Sequence, residues 1–333
     1  MLADYLAVAE SLNSSAVDVV SIQHEYGIWG GDDGEYVLDF ARALRIPVVT
    51  TLHTVLREPT PSQRRILISL IAMSATTVVM SRAAASLLAE AYAVDPGRIE
   101  IVPHGVPHLP LVDPATVKPR LGLDGRLVIL SFGLLGPGKG YESAIAAMPA
   151  VVEAIPSALY VILGATHPDL LLREGEAYRE KLQATAAALG MTHHVRFVDR
   201  FVSRAELGTW LQAADLFVTP YPNLDQIVSG TLSYAMGAGK AVVSTPYAYA
   251  RERLADGRGV LVAAGSSAAL AGAFIDLLGE PTRRSSIGQR AYEYSRGMIW
   301  PEIGAEYRRI LGQAVLPVVA SSGPARVFAV AGG

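Results

Sequence analysis

Two glycine-rich turns decide the fold of this chain: FGLLGPGKG at residues 132–140 and DQIVSGTLSYAMGAGKAVVST at residues 225–245. Each turn stands where a predicted strand leads into a predicted helix. Backbone N–H groups at the start of a helix bind anions, and glycines let a phosphate approach the backbone closely. Two such sites in one parallel α/β unit, with Lys139 beside the first, suit a ligand that carries more than one phosphate. A nucleotide-sugar is the obvious candidate.

Short apolar and β-branched runs alternate with helical patterns along the chain. Apolar strands separated by amphipathic stretches indicate parallel sheets that are covered on both faces. The sequence therefore predicts an α/β fold with two doubly wound, Rossmann-like halves, and ligands are expected at the carboxyl ends of the strands, in the cleft between the domains. The runs are VDVVSI (17–22), PVVTTL (47–52), TTVVM (76–80), RIEIVP (98–103), RLVILSF (126–132), LYVILG (159–164), VRFVD (195–199), LFVTP (216–220) and AVVST (241–245).

Proline and turn residues concentrated near residues 107–126 predict a domain boundary. We expect an N-terminal domain over residues 1–118 and a C-terminal, nucleotide-sugar-binding domain over residues 119–300. A helix over residues 301–316 is expected to cross back to the first domain. Residues 317–333 are small and apolar with two prolines nearby, and we expect them to form a poorly packed tail.

Composition limits the partners of the protein. Lys and Arg number 28 against 31 Asp and Glu, for a net charge of −3, so there is no general basic surface for nucleic acid. The absence of cysteine excludes disulfides, thiol nucleophiles and thiolate metal sites. Charged residues interrupt every apolar stretch, and the N-terminal residues do not read as a signal peptide. We therefore expect a cytoplasmic protein without a transmembrane segment.

In combination, these segments resemble the retaining nucleotide-sugar glycosyltransferases of family 4, which have the two-Rossmann-domain architecture called GT-B. The resemblance extends from about residue 17 to about residue 312 and includes HEYGIWGG-like, TLHT-like, VPHGV-like and DQIVSGT-like segments of a bacterial subgroup. One glycine-rich turn alone would be a weak signal, whereas the combination is specific. The resemblance implies transfer of a hexosyl group from a nucleotide-diphosphate sugar to a carbohydrate or other acceptor hydroxyl, with no cofactor and no metal.

The first motif carried over from the family is Gly-Arg-x-x-x-x-Lys-Gly, whose arginine and lysine bind the donor diphosphate. Gly133, Leu134, Lys139 and Gly140 fall on its fixed positions. Lys139 matches, and its charge would offset the negative charge that grows on the leaving diphosphate; the alternative is a solvated turn lysine. Leu134 departs from the motif, and we expect Arg200 or backbone N–H groups to replace the missing arginine.

The second motif, Glu-x7-Glu, is altered at both ends, where this chain has Gln226 and Tyr234. Gln226 can hydrogen-bond a sugar hydroxyl but carries no charge, so its expected role is positioning. Tyr234 offers a phenol to the ribose or simply packs. The alternative for this segment is an ordinary glycine-bearing helix start. The other expected donor contacts are Gly138, Ser229, Gly230 and Thr231.

His53 in TLHT follows a strand and matches a family histidine that reaches the transferred sugar, although a lone histidine in this position is more often structural. With Lys139 and Gln226 it completes the expected catalytic set. His104 in VPHGV is expected to line the cleft.

The loop HEYGIWGGDDG (24–34) opens with His24 and Glu25, which are expected on the acceptor side of the cleft. Its Tyr26 and Trp29 either stack on a sugar ring or anchor the loop, and the residues leave both alternatives open.

Relatives in the family begin with a strand, a glycine-rich loop and a helix that this chain lacks before VDVVSIQHE. A late gene start, a shortened natural form, or a first strand supplied otherwise would each explain the difference. An incomplete first domain would expose a strand edge and favour self-association.

Two functions from different classes remain open at this point. Lys139, Gln226, the SGT turn and His53 together indicate an active glycosyltransferase. Leu134, Tyr234 and the short N-terminus are instead typical of a catalytically impaired sugar-nucleotide-binding module; an epimerase is a weaker third. The sequence shows no carboxylate pair at glycosidase spacing and no Asp-x-Asp motif, which disfavours a two-carboxylate hydrolysis scheme. In the route that the family resemblance implies, the leaving phosphate takes the acceptor proton.

Overall fold

A computed structural model of the protein describes residues 1–315 and the backbone of residues 327–331. This part of the chain forms two compact units, each with its own parallel sheet and helices. Unit 1 contains residues 1–104, residues 225–228 and the described residues from Pro301 on, and unit 2 contains residues 105–224 and 229–300. The predicted α/β class with two Rossmann-like halves is confirmed, but unit 1 is assembled from three separate segments.

Unit 1 is built on a five-stranded parallel sheet with the strand order β11–β1–β2–β3–β4. Elements are numbered in chain order. The strands are β1 (Val19–His24), β2 (Val48–Leu52), β3 (Thr76–Val79), β4 (Ile99–Ile101) and β11 (Val327–Ala331), and the helices are α1 (Leu2–Asn13), α2 (Tyr36–Ala43), α3 (Pro61–Met73), α4 (Arg82–Tyr92) and α14 (Trp300–Val315).

The sequence explains the local structure of unit 1. β1 and β2 are apolar, β-branched runs that are buried along almost their whole length, as expected for inner strands of a parallel sheet. α3 begins where the hydroxyl of Thr60 accepts the Gln63 amide and the Gln63 side chain accepts the Thr60 amide, with proline in the first turn. α14 packs on the sheet of unit 1, where the hydroxyls of Tyr307 and Thr51 lie 2.9 Å apart.

The strand β11 corrects the expected tail over residues 317–333. It pairs in parallel with β1, in a register from Val19 opposite Val327 to Gln23 opposite Ala331. Residues 316–326 and 332–333 lie outside the described residues. Because β1 has a neighbouring strand on both sides, the edge that an incomplete sheet would expose at β1 is covered, and a strand in this place is supplied from the C-terminal part of the chain. Self-association stays a prediction.

Unit 2 is built on a six-stranded parallel sheet with the strand order β10–β9–β8–β5–β6–β7. Its strands are β5 (Leu127–Phe132), β6 (Ala158–Leu163), β7 (Val195–Val198), β8 (Leu216–Thr219), β9 (Ala241–Ser244) and β10 (Gly259–Leu261). Its helices are α5 (Pro114–Val117), α6 (Tyr141–Ala154), α7 (Pro168–Glu174), α8 (Ala177–Ala188), α9 (Arg204–Ala213), α10 (Gly230–Gly237), α11 (Ala248–Arg253), α12 (Ser267–Gly279) and α13 (Pro281–Tyr294).

The strand order of unit 2 reverses between β5 and β8, which lie side by side. In an open parallel sheet, ligands bind outside the carboxyl ends of the strands at such a reversal. The turn at residues 132–140 follows β5, and the segment that leads into α10 follows β8. The first glycine-rich turn and the start of α10 therefore lie at the place in unit 2 where a ligand is expected. Among the helices described, none is both long and apolar enough to cross a membrane.

Candidate active site

The glycines of the turn after β5 serve two purposes. Gly140 has φ +71°, and a Cβ there would lie 1.9 Å from the carbonyl oxygen of Pro220, so only glycine lets this turn pack against the end of β8. Gly138 has φ +89°, and no atom lies within 4 Å of the place where its Cβ would be. The turn is therefore fixed at Gly140 and open at Gly138, beside Lys139.

A cavity of about 460 Å³ lies in unit 2 beside this turn. The ammonium of Lys139 lies 4.9 Å from the ring centroid of Tyr221, as in a cation–π contact. Lys139 makes no hydrogen bond or ion pair with any residue that the structure describes, so its charge is available to a ligand. The lining residues are Phe132, Gly133, Leu134, Gly136, Pro137, Lys139, His167, Leu170, Arg173, Tyr221 and Thr231.

The start of α10 lies at the same cavity. Ser229 caps the helix, and its hydroxyl accepts the amide of Leu232. The hydroxyl of Thr231 lies 2.9 Å from that of Tyr221, which joins the helix start to the aromatic ring under Lys139. The amides of Gly230 and Thr231 belong to the first helical turn, whose N–H groups have no intrahelical acceptor. The structure thus places the predicted Lys139, Gly138, Ser229, Gly230 and Thr231 in one region of unit 2.

A second, mainly apolar cavity of about 210 Å³ adjoins the first, and the two share Phe132, Gly133 and Leu134. Arg200 lines this second cavity and forms an ion pair with Glu206, which raises the pKa of Arg200. Arg200 is therefore not among the residues that line the cavity with Lys139, and its expected role in place of the missing arginine stays a prediction. The arginine that lines the Lys139 cavity is Arg173 of α7, which sequence reasoning missed.

Tyr234 packs against Phe132, with ring centroids 6.1 Å apart. This contact places the second altered position of the Glu-x7-Glu motif at the wall that both cavities share. Its predicted contact with a ribose remains untested.

In unit 1, His53 follows β2, and its Nε2 lies 2.9 Å from the side-chain oxygen of Gln23. Burial, and then the proximity of His104, lower the pKa of His53. His53 is therefore neutral at pH 7. Because the side-chain oxygen of Gln23 can only accept, the proton of His53 is on Nε2, which donates this bond, and Nδ1 is left as an acceptor.

His24 is buried, contrary to the expectation that it lies on the acceptor side of the cleft, and Trp29 anchors the loop, which is one of the two alternatives left open. His24 is fully buried, lies edge-on to the ring of Tyr26 and has no hydrogen bond within the described residues. Burial, and then the charge of His53, lower its pKa to about 4. Trp29 lies in the core against Tyr5 and donates its ring N–H to the carbonyl of Gln23.

Glu25 remains partly exposed, and its carboxylate accepts the amide of Tyr26 and the hydroxyl of Thr54, next to His53. Of the two residues that open this loop, Glu25 therefore keeps access to solvent and His24 does not.

The residues 225–228 that carry Gln226 belong to unit 1, whereas Ser229 and α10 belong to unit 2. Ile227 is buried in the core of unit 1, and its carbonyl accepts the hydroxyl of Ser81. The side-chain amide of Gln226 donates to the carbonyl of Val228 at 2.8 Å. Part of the hydrogen-bonding capacity of the Gln226 side chain is thus used within its own segment.

A larger cavity of about 510 Å³ in unit 2 is lined by Asp215, Lys240 and Arg284. Its charges have internal partners: Asp215 pairs with Lys118, and the ammonium of Lys240 donates to the carbonyls of Gln212 and Ala214 at the C-terminal end of α9. Burial lowers the pKa of Lys240 to about 8. Because these groups cap helices and strands, we assign this cavity a structural role.

Comparison with known proteins agrees with this geometry. Residues 115–294 match the family model of glycosyl transferases group 1, and residues 1–108 match the model of glycosyltransferase family 4. The first match alone covers more than half of the chain.

Two curated relatives match most of the chain. A D-inositol 3-phosphate glycosyltransferase of Segniliparus rotundus is 28% identical over 324 residues, which cover 91% of this chain and 69% of the relative. A phosphatidyl-myo-inositol mannosyltransferase of Mycobacterium leprae is 30% identical over 279 residues, which cover 80% and 68%.

Solved structures share the fold. HepE from Anabaena in complex with UDP has a TM-score of 0.76 at 19% identity and covers 93% of this chain and 82% of its own. Sucrose-phosphate synthase from Thermosynechococcus elongatus has a TM-score of 0.79 at 17% identity and covers 95% and 78%.

Proposed function

Because the chain belongs to the group 1 glycosyl transferases, we propose that it transfers a hexosyl group from a nucleotide-diphosphate sugar to an acceptor hydroxyl with retention of anomeric configuration. The observation that carries the proposal is the cavity at the strand-order reversal of unit 2. There the ammonium of Lys139, which has no hydrogen bond or ion pair in the described part of the chain, and the first turn of α10 face the same space. This combination suits a diphosphate, and the adjoining apolar cavity suits the flat nucleobase.

Lys139 would act on the leaving group. As the bond between the anomeric carbon and the diphosphate oxygen breaks, negative charge grows on the diphosphate, and a preorganised cation stabilises it. The acceptor oxygen forms its bond to the anomeric carbon on the same face, and the acceptor proton passes to the departing diphosphate. None of the residues that line the cavity is a carboxylate, so this route, which needs no protein base, is the one that the lining supports.

Unit 1 would orient the transferred sugar and the acceptor. His53 offers a neutral Nδ1 to a sugar hydroxyl, because its Nε2 is held by Gln23. Glu25 holds Thr54 next to it and keeps partial exposure, which suits contact with an acceptor hydroxyl. Gln226 would position the sugar, and His104 would line the acceptor side; both remain proposals from the family resemblance.

We propose that donor binding needs no divalent metal and no cofactor. The cations for the diphosphate would come from side chains of the cavity itself, and the described residues hold no group of three or more His, Asp or Glu side chains suited to a metal. Titration of the donor with and without EDTA tests this point. An affinity that collapses in EDTA would place a metal beside the diphosphate.

The decisive experiment incubates the purified chain with UDP-glucose or GDP-mannose as the donor and with inositol 3-phosphate or phosphatidylinositol as the acceptor. These donors and acceptors are the ones for which the similar proteins are named. We expect release of UDP or GDP together with a glycosylated product, and NMR of the product should show the anomeric configuration of the donor. An inverted product would overturn retention. Donor binding without transfer or hydrolysis would overturn the enzymatic proposal.

That last outcome would favour the second candidate, a sugar-nucleotide-binding module. Leu134 in the lining of the cavity and the packing of Tyr234 on Phe132 are the observations that support it. Both replace charged side chains of the family motifs with groups that cannot carry charge at pH 7.

A further inference from the structure

The Lys139 cavity is lined by a second cation that has no ion pair within the described residues. Arg173 of α7 lines the same cavity and is the arginine that lies there rather than Arg200. A nucleoside diphosphate carries more than one negative charge, so a single ammonium leaves part of that charge without a counterion. We propose that Arg173 binds the donor diphosphate together with Lys139 and thereby stabilises the leaving group; this inference rests on the proposed function.

The backbone holds α7 against the glycine-rich turn. The amide of Leu135 donates to the carbonyl of Ala165 at 2.9 Å, and the amide of His167 donates back to the carbonyl of Leu135 at 2.8 Å. His167 then caps α7, and Leu170 is buried in the core of unit 2. Arg173 therefore lies on a helix whose N-terminal end is held to the turn that carries Lys139 and whose Leu170 packs in the core.

The hydrogen bonds of Arg173 leave its terminal groups available. Its Nε donates to the carbonyl of Asp169, four residues earlier, at 3.1 Å. Within the described part of the chain its two terminal amino groups have no hydrogen bond and no ion pair, in contrast to those of Arg200, which are held by Glu206. A guanidinium fixed at Nε presents two parallel N–H groups, a geometry that matches phosphate oxygens.

Leu134 provides an internal test, because it lines the same cavity as Arg173. An arginine at position 134 would place a guanidinium in the same space from a different element. If the role of Arg173 is to bind the diphosphate, Leu134→Arg should restore what Arg173→Ala removes. If Arg173 only supports the fold of α7, a cation on the turn after β5 cannot compensate.

The experiment measures binding of UDP, GDP and the corresponding nucleosides by calorimetry, and kcat with the active donor, for four proteins: the parent, Arg173→Ala, Arg173→Ala with Leu134→Arg, and Arg283→Ala. Arg283→Ala is the control, because Arg283 lies on α13 outside the cavity. We expect Arg173→Ala to weaken binding of the nucleoside diphosphate on the order of 10-fold, the scale of a charge-assisted hydrogen bond, and to leave nucleoside binding unchanged. The double variant should recover most of the loss.

Equal affinity for UDP or GDP in the parent and Arg173→Ala would overturn the role of Arg173 while the proposed function stands. A parallel loss of nucleoside binding, or no recovery in the double variant, would also overturn it in favour of a structural role. A parent that binds neither UDP nor GDP would overturn the proposed function as well.

Discussion

The turn after β5 in unit 2 and the loop after β1 in unit 1 are both rich in glycine, but their polar side chains differ in whether they have partners within the protein. In the turn, Lys139 has no polar partner within the described chain and faces a cavity. In the loop, Trp29 donates to a backbone carbonyl and Glu25 accepts two hydrogen bonds, while His24 is buried and has no hydrogen bond within the described residues. Polar groups that are satisfied internally hold a structure together, whereas a charge without a polar partner at a cavity is ready for a ligand. The comparison therefore supports the proposed phosphate-binding role of the turn and a mainly structural role of the loop.

The largest expected effect tests the scaffolding role of His24. Its pKa is about 4 in the folded protein and 6.5 when unfolded. The unfolded chain therefore binds more protons between these values, and the contribution to stability is complete above pH 6.5 and is lost as the pH falls towards 4. Its full extent is about 3 kcal/mol. We expect urea unfolding at pH 7 and pH 4.5 to show a larger loss for the parent than for His24→Phe. Equal losses would mean that His24 is not a buried neutral residue.

The second prediction tests the chemical role of the turn. Lys139→Ala should lower kcat on the order of 10²-fold at saturating donor, the scale for removing one preorganised electrostatic group. Lys181→Ala, which removes an exposed lysine of α8, is the matched control. A kcat within a few fold of the parent would show that Lys139 does not stabilise the leaving diphosphate. The proposed difference between the turn and the loop would then be wrong.

The third prediction tests whether Gln226 contacts the donor. This residue belongs to unit 1 but precedes α10 of unit 2. Gln226→Ala should weaken donor binding by about 1 kcal/mol, the scale of a net hydrogen bond. Because the amide of Gln226 donates to the carbonyl of Val228, Gln226→Glu should also impair binding, since a carboxylate cannot donate. Titration of the donor measures both variants. If alanine has no effect on affinity or turnover, the altered motif does not contact the sugar.

The smallest expected effect concerns the ion pair between Arg57 and Asp225, whose side chains are both more than half exposed. The buried Ile227 holds this segment in unit 1, and an exposed ion pair adds about 0.2–1 kcal/mol at most. A double-mutant cycle with Arg57→Ala and Asp225→Ala, followed by urea unfolding, isolates the pair. A coupling energy well above this range would mean that the pair, and not Ile227, fixes the segment.

The fold could be predicted because its strands are buried on both faces and read as continuous apolar runs. All nine predicted strand segments overlap a strand of the structure. β10 was missed because it is three residues long and begins with glycine, and β11 was missed because its surroundings read as a tail. Short strands at a sheet edge carry little periodicity, so their pairing is decided by the sheet that they join.

The residues of the candidate site could be predicted only where they directly follow a strand, because the order of the strands then determines their place in the fold. Lys139 and Ser229 follow strands whose order places them at the reversal of the sheet. Arg173 could not be found in this way, because nothing in the sequence distinguishes it from other exposed helical arginines. The sequence equally gave no sign that His24 is buried, since burial depends on packing against distant residues such as Tyr26 and the core of unit 1.

The pairing of β1 with β11 has a consequence for how the protein folds. Val19 and Val327 lie almost a whole chain length apart, yet they are neighbours in one sheet. Contacts between such distant residues form late, because closing the intervening loop costs conformational entropy before the contacts contribute any stabilising free energy. Unit 2 is nearly continuous in sequence and needs no such closure. During synthesis the backbone groups at the β1 edge therefore stay unpaired until the C-terminal strand has left the ribosome, and this interval is when the chain is most exposed to pairing with another chain.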